Sequence, residues 1–156
     1  MKMNIIRKKR KELGISQSEL SEKLGTSQQT ISRIEKAGIE NIPCNLLIKL
    51  ADIFHVPIDI LIYEDLVMDT KKKKVSRNGK EISLTTKEYK LLQYMMRNPG
   101  HVLSRDQLEQ RGWDSTFEGG SNIIDVYIRY LRKKIDSDYE KKLIHTVYGK
   151  GYCLGE

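Results

Sequence analysis

The sequence predicts a mainly α chain with a smaller β part, a five-helix bundle followed by an α+β unit with an N-terminal sheet and a C-terminal hairpin. Two observations predict it. The hydrophobic period is helical from Asn4 to about Ile62, switches to strand-like alternation after Asp65, and turns helical again at Thr85. Capping residues and turn residues fall where those period changes require ends.

The elements follow in chain order. Ser16 before Gln17, Ser18 and Glu19 forms a capping box, and Gly25 supplies the left-handed stop of that helix. Thr26 or Ser27 caps the next helix, which runs through Lys36 to Gly38. Pro43 and Pro57 open two more helices, where a missing N–H does no harm. LVMD, KKVSR and KEISL then read as strands, and Asn78-Gly79 as the tight turn between the last two. Capping boxes at Thr85–Glu88 and Ser104–Gln107 open two helices, and Ser121 caps NIIDVYIRYLRKKI. HTVYGKGYCL closes the chain as two short strands around Gly149, Lys150 and Gly151. The expected domains are therefore 1–63 and 66–156, through a joint that lacks Gly and Pro and reads as tight.

Charge narrows the function class. The chain carries +7, with 28 bases against 21 acids, and both halves share the excess: 10 bases against 7 acids up to Tyr63, and 18 against 14 after it. That balance favours a polyanionic partner. The greasiest stretch, LLIKLADIFHVPIDILIY, is interrupted by Lys49, Asp52, His55 and Asp59, so export and membrane spanning are not expected and the location reads as cytoplasmic. Cys44 and Cys153 belong to no CxxC and read as buried free thiols. His55, His101 and His145 have no metal-ligand spacing, and no P-loop, HExxH or GxSxG occurs, so neither metal, cofactor nor enzymatic activity is expected.

Within GTSQQTISRIEK, Ile31 and Ile34 mark the inward side of a helix, and Gln29, Arg33 and Lys36 lie nearly opposite, flanked by Gln28 and Ser32. A glutamine amide carries a donor and an acceptor in one plane, matching the N6 and N7 edge of adenine in the major groove. Glutamine is also a good helix former on solvated faces, and the pair alone does not decide between the two readings. In NIIDVYIRYLRKKI, Ile124, Ile128, Leu131 and Ile135 form the inward stripe, opposite Asn122, Val126, Arg129 and Lys133. Val126 on that face suits a thymine methyl group, or else packs on a neighbouring loop. Arg129, Arg132, Lys133 and Lys134 place four cations within six residues, as phosphate contact requires, although a solvated face would read alike. Lys71 to Lys74 reads as a solvated strand edge.

The run IRKKRKELGISQSELSEKLGTSQQTISRIEKAG resembles the helix-turn-helix of the phage repressor and Cro family, through to about Ile62. The resemblance implies that Gln17 holds a phosphate and that Gln28, Gln29, Ser32 and Arg33, with Lys36 on the same outward row, face base edges or the adjacent backbone. Arg10 and Glu35 match a pair buried between the first and third helices. The helical wheel agrees, because Glu35 leans toward the Ile31 side and a buried carboxylate needs a partner.

From Leu66 to Leu154, LTTKEYKLL, LSRDQLEQRGW, SNIIDVYIRYLRKK and TVYGKGY resemble the OmpR/PhoB type of winged-helix DNA-binding domain. By resemblance the third helix of that half enters the major groove and the last hairpin is a wing. Asn122, Val126, Arg129, Arg132 and Lys133 inherit groove or phosphate roles, and Thr146 a phosphate contact. Tyr130 stands where arginine is frequent, and Tyr148 replaces the common wing arginine of TVRGxGY, with Lys150 in place to supply the lost charge. The segment Trp113 to Gly120 looks like the loop such activators present to RNA polymerase, or else is a plain connector with Trp113 in the core. The expectation is a sequence-specific double-stranded DNA-binding transcription regulator with two tandem modules and no receiver domain. It can pair as a homodimer. In the alternative, one module binds DNA and the other serves dimerisation or partner-protein binding.

Overall fold

The computed structural model describes residues 4–37, 39, 42–113 and 122–155, which form two compact units, Met1–Glu64 and Asp65–Glu156. The first unit is helical: α1 (Ile5–Glu12), α2 (Gln17–Leu24), α3 (Gln28–Ala37), α4 (Cys44–Phe54) and α5 (Ile58–Tyr63). Ser16 and Glu19 close the capping box of α2 in both directions, at 3.1 and 2.6 Å. Gly25 ends α2 at φ 64°, a conformation that costs most side chains energy. Ser27 is the residue that caps α3, its hydroxyl accepting from the Thr30 backbone N–H at 3.2 Å. Ile6, Leu20, Leu24, Ile31, Leu50 and Phe54 bury together as the centre of this unit. Gly38, where the sequence places the end of α3, lies outside the described residues.

One expectation fails here. Cys44 is exposed and Cys153 only half-buried. Cys44 is the first residue of α4, off the core-facing side made by Leu46, Leu47 and Leu50, so the thiol is left in water. Burial raises the Cys153 thiol above its usual range.

The second unit opens with an antiparallel sheet, β1 (Leu66–Asp69), β2 (Lys74–Arg77) and β3 (Lys80–Ile82), in that spatial order. Asn78 and Gly79 both have positive φ, 52° and 78°, as a two-residue hairpin turn of matching twist demands. Lys71, Lys72 and Lys73 occupy the exposed β1–β2 turn, where Asp69 accepts two backbone N–H groups at 3.0 Å. Three helices follow, α6 (Thr86–Met96), α7 (Arg105–Gly112) and α8 (Ile123–Ile135), then the hairpin β4 (Ile144–Val147) and β5 (Gly151–Leu154). The capping boxes at Thr85 and Ser104 are both formed. Ser121 lies outside the described residues, and Asn122 occupies the N-cap of α8 without a side-chain bond.

Leu91, Leu92, Met95, Leu108, Ile128 and Leu131 bury completely or nearly so beneath these helices. Trp113 is buried, its indole N–H donating to the Lys87 carbonyl at 3.1 Å; residues 114–120 of the segment expected to meet RNA polymerase lie outside the described residues. The hairpin is tied back by a bridge between Leu103 and Tyr152, with N–H to carbonyl bonds of 2.8 and 2.9 Å. Gly151 makes this approach possible, because a Cβ there would sit 2.0 Å from the Leu103 carbonyl oxygen. Among the described residues no helix is long and apolar enough to cross a membrane.

Candidate nucleic-acid interface

Among the described residues the outward row of α3 has no side-chain partner of its own. Gln28, Gln29, Arg33 and Lys36 are exposed, Ser32 is half-buried, and Gln29, Ser32, Arg33, Lys36 and Ala37 line one shallow open depression. Amides and cations left in water this way keep their hydrogen-bonding capacity for another molecule. The opposite side carries Ile31, Ile34 and Glu35, all buried.

Glu35 anchors the helix. Its carboxylate takes a bidentate fork from Arg10, Nε to Oε1 at 2.6 Å and Nη2 to Oε2 at 3.1 Å, while Arg10 Nη1 donates to the Ile15 carbonyl at 2.8 Å. Such planar pairing is among the stronger hydrogen-bonding arrangements. Gln17, expected to hold a phosphate, donates its amide to Glu35 Oε2 at 2.9 Å. One amide hydrogen and the amide oxygen stay uncommitted, so the side chain is oriented and not consumed. Burial pushes the Glu35 carboxyl up, but the bonds from Arg10 and Gln17 outweigh it and hold the group below the usual carboxylate range.

The outward face of α8 is divided. Arg129 and Lys133 are exposed and make no ion pair among the described residues. Arg132 instead donates from Nη2 to the Thr146 hydroxyl at 2.6 Å and to the Ile144 carbonyl at 3.3 Å, so two of the expected phosphate contacts bind each other. A hydroxyl that accepts from a guanidinium still has its own proton to donate, and a phosphate oxygen is a suitable acceptor. Lys134 leaves the expected cation quartet altogether: its ammonium pairs with buried Glu88 at 2.6 Å, because that carboxylate, already part of the α6 capping box, needs a counter-charge. Val126 is half-buried, and Tyr130 is 45% exposed with its ring edge against Tyr127 at 5.8 Å. Asn122, Tyr148 and Lys150 are exposed, and Thr146 is half-buried in β4 opposite Tyr152.

Two supporting networks carry no warning in the motifs. Arg77 is fully buried, donating to Asp65 at 3.2 Å, Asp136 at 2.9 Å, the Lys141 carbonyl at 2.6 Å and the Ile135 carbonyl, beneath the Tyr139 ring at 4.1 Å. Asp136 in turn accepts the Leu143 and Ile144 backbone N–H groups, so one ion pair joins the sheet, the end of α8 and the start of the hairpin. The available signal was alternation, since Arg77 shares the face of buried Val75. At the other end of α8, Asp125 Oδ1 accepts from the Tyr152 hydroxyl at 2.6 Å and from Arg105 Nε at 2.8 Å. Those two bonds, the Tyr152 hydroxyl first, hold the Asp125 carboxyl below its usual range. No spacing in one sequence pairs these three residues. Among the described residues no group of His, Cys, Asp or Glu could hold a metal ion.

Comparison with known proteins finds relatives of both units. Residues 79–154 match the family model "Transcriptional regulatory protein, C terminal", and residues 6–61 match "Helix-turn-helix". The DNA-binding domain of Klebsiella pneumoniae RstA, solved in complex with the RstA box, superposes with a TM-score of 0.52 at 30% identity, over 58% of this chain and 91% of that one. The chain belongs to the first of these families through its second unit. The chain is also 47% identical over 94 residues to the uncharacterized transcriptional regulatory protein YkoG of Bacillus subtilis (strain 168), covering 60% of this chain and 41% of YkoG. Escherichia coli (strain K12) CusR, a transcriptional regulatory protein, is 47% identical over 90 residues, 58% of this chain and 40% of CusR. This chain thus spans about two fifths of the length of these curated relatives. That family is one of transcription regulators and not of enzymes.

Proposed function

We propose that the protein is a cytoplasmic, sequence-specific double-stranded DNA-binding transcription regulator whose helix-turn-helix unit and winged-helix unit are separate domains that both read DNA. The observation that carries this reading is the pair of exposed outward rows, unpartnered among the described residues: Gln28, Gln29, Arg33 and Lys36 on α3, and Arg129 and Lys133 on α8. Each lies on a helix whose inward side is fixed by apolar residues and an ion pair. A solved relative of the winged-helix unit sits on a DNA box, which supports the same use here.

In this reading α3 and α8 enter major grooves, and Gln28 and Gln29 pair with adenine edges. Val126 meets a thymine methyl. Arg129 and Lys133 neutralise phosphates, Thr146 donates to one, and Arg132 orients that hydroxyl. Gln17 donates to a phosphate at the α2 N-terminus, with Glu35 setting its amide. Ser32, Asn122 and Tyr130 lie at the edges of the two contact faces, and Tyr148 and Lys150 form the wing tip. Pairing of two copies on a duplex and contact with RNA polymerase through the segment 113–120 belong to the same proposal. Titrating labelled duplex at several salt concentrations tests it in the full chain. Replacing Arg33 and Lys36 by Ala, or Arg129 and Lys133 by Ala, is expected to flatten the plot of log affinity against log salt by about 1.8 per pair, if each cation neutralises one phosphate. If one pair changes nothing, the corresponding unit does not touch DNA and serves assembly or partner binding instead.

A further inference from the structure

A single peptide bond joins the two units, since Glu64 closes the first and Asp65 opens the second. The Glu64 N–H still donates to the Ile60 carbonyl of α5 at 3.0 Å, and the Asp65 carbonyl already accepts the Asn78 N–H of the β2–β3 turn at 2.8 Å. No residue is left over as a spacer, and Ile62 to Leu66 holds neither Gly nor Pro. Glu64 itself sits at φ 64° and ψ −54°, a tight-turn geometry that a residue with a side chain keeps only when its surroundings hold it there. Each side of the bond is anchored to a reading helix. Leu61 of α5 is buried in the same core as Ile31 and Ile34 of α3. Asp65 accepts from Arg77, and Arg77 donates to Asp136, the C-cap of α8.

We propose that the Glu64–Asp65 joint fixes the architecture of the DNA target: one duplex carrying two blocks, one per unit, at a single permitted spacing and helical phase. This rests on the reading that both units bind DNA, and adds which duplexes they can share. Moving one block by a full helical turn shifts it about 34 Å along the duplex, and half a turn carries it to the opposite side. A tether gains at most about 3.6 Å of reach per added residue, so a joint with no spare residue follows neither shift. One unit then lets go, and the gain from joining two modules, about 100-fold or more, is lost.

The test uses the full chain and duplexes carrying its two selected blocks at the selected spacing, or with half a turn or a full turn, roughly 5 or 10 bp, inserted between them. The parent is expected to lose roughly 100-fold at both longer spacings, falling to its affinity for the stronger block alone. A Gly-Ser insertion of about 20 residues between Glu64 and Asp65, with a mean reach of roughly 25 Å, should bring the three spacings within about five-fold of one another. Glu64→Pro removes both the positive φ and the donor to Ile60. It should bind each block alone like the parent, yet lose at least about ten-fold on the joined blocks at the selected spacing. The inference is overturned if the parent binds all three spacings alike, if the insertion leaves the spacing preference as sharp, or if Glu64→Pro binds the joined blocks as tightly as the parent. Changing Gln28 and Gln29 together to Ala separates the two claims. If that variant binds the joined blocks like the parent, the first unit reads no DNA, and the reading beneath the inference fails with it. If it weakens binding while spacing has no effect, both units read DNA and the role given to the joint alone is wrong.

Discussion

The outward faces of α3 and α8 carry similar side chains with different obligations. On α3 no outward polar side chain is engaged by another among the described residues, and the helix is held from behind by Ile31, Ile34 and the Glu35–Arg10 fork. On α8 two of four cations are engaged, Arg132 with the hairpin and Lys134 with Glu88, while Arg129 and Lys133 stand free. The difference teaches that a cation count along a helix overstates its capacity for phosphate wherever the helix also holds a wing. Engaged and free cations lie on one helix in the second unit, whereas in the first the fork lies opposite the free row.

The largest expected effect breaks that comparison at its supports. Arg77→Met leaves Asp136 buried without its partner and should cost the winged-helix unit about 3–5 kcal/mol, seen as early melting of that unit alone in denaturant. The Glu35 fork predicts an acid response in the first unit. The folded carboxyl lies below its unfolded value, so its stabilisation is complete above that value, about 4.3, and is lost as pH falls through the lower folded value. Arg10→Met should remove most of this pH dependence along with much of the unit's stability, measured by urea midpoints between pH 6 and 3.

Smaller effects sharpen the contrast between the faces. Gln29→Ala should erase discrimination at one base pair, about 1–3 kcal/mol, without altering the salt slope. Lys134→Ala should likewise leave the slope unaltered while lowering stability, whereas Arg129→Ala lowers the slope by about 0.9 and weakens all sites alike. An equal slope change in both would mean that the Lys134–Glu88 pair opens on DNA. Val126→Ser is the mildest, relaxing preference at one thymine. If the selected motif is unchanged, the methyl contact is absent.

Much of the fold was legible because its signals are local. Capping boxes at Ser16, Thr85 and Ser104 and the Asn78-Gly79 turn act within four residues, and all four formed. The inward stripes of α3 and α8 were equally readable from their period. What stayed hidden depends on partners distant in sequence. Arg77 meets Asp136 across 59 positions and Lys134 meets Glu88 across 46, and nothing near either residue announces the other. Cys44 is exposed although its residue type favours burial, because it stands at the first turn of a helix, ahead of the core-facing leucines. For the candidate interface, the sequence named the outward rows, and only coordinates separate Arg129, which is free, from Arg132, which is engaged.

The most direct measurement is selection of bound duplexes from a random pool by the intact chain, repeated with Gln28 and Gln29 both changed to Ala and, separately, with Arg129 and Val126 changed to Ala. The account predicts a motif with two blocks, the first variant losing one and the second weakening the other. A single block indifferent to one of the variants would contradict the claim that both helices read DNA.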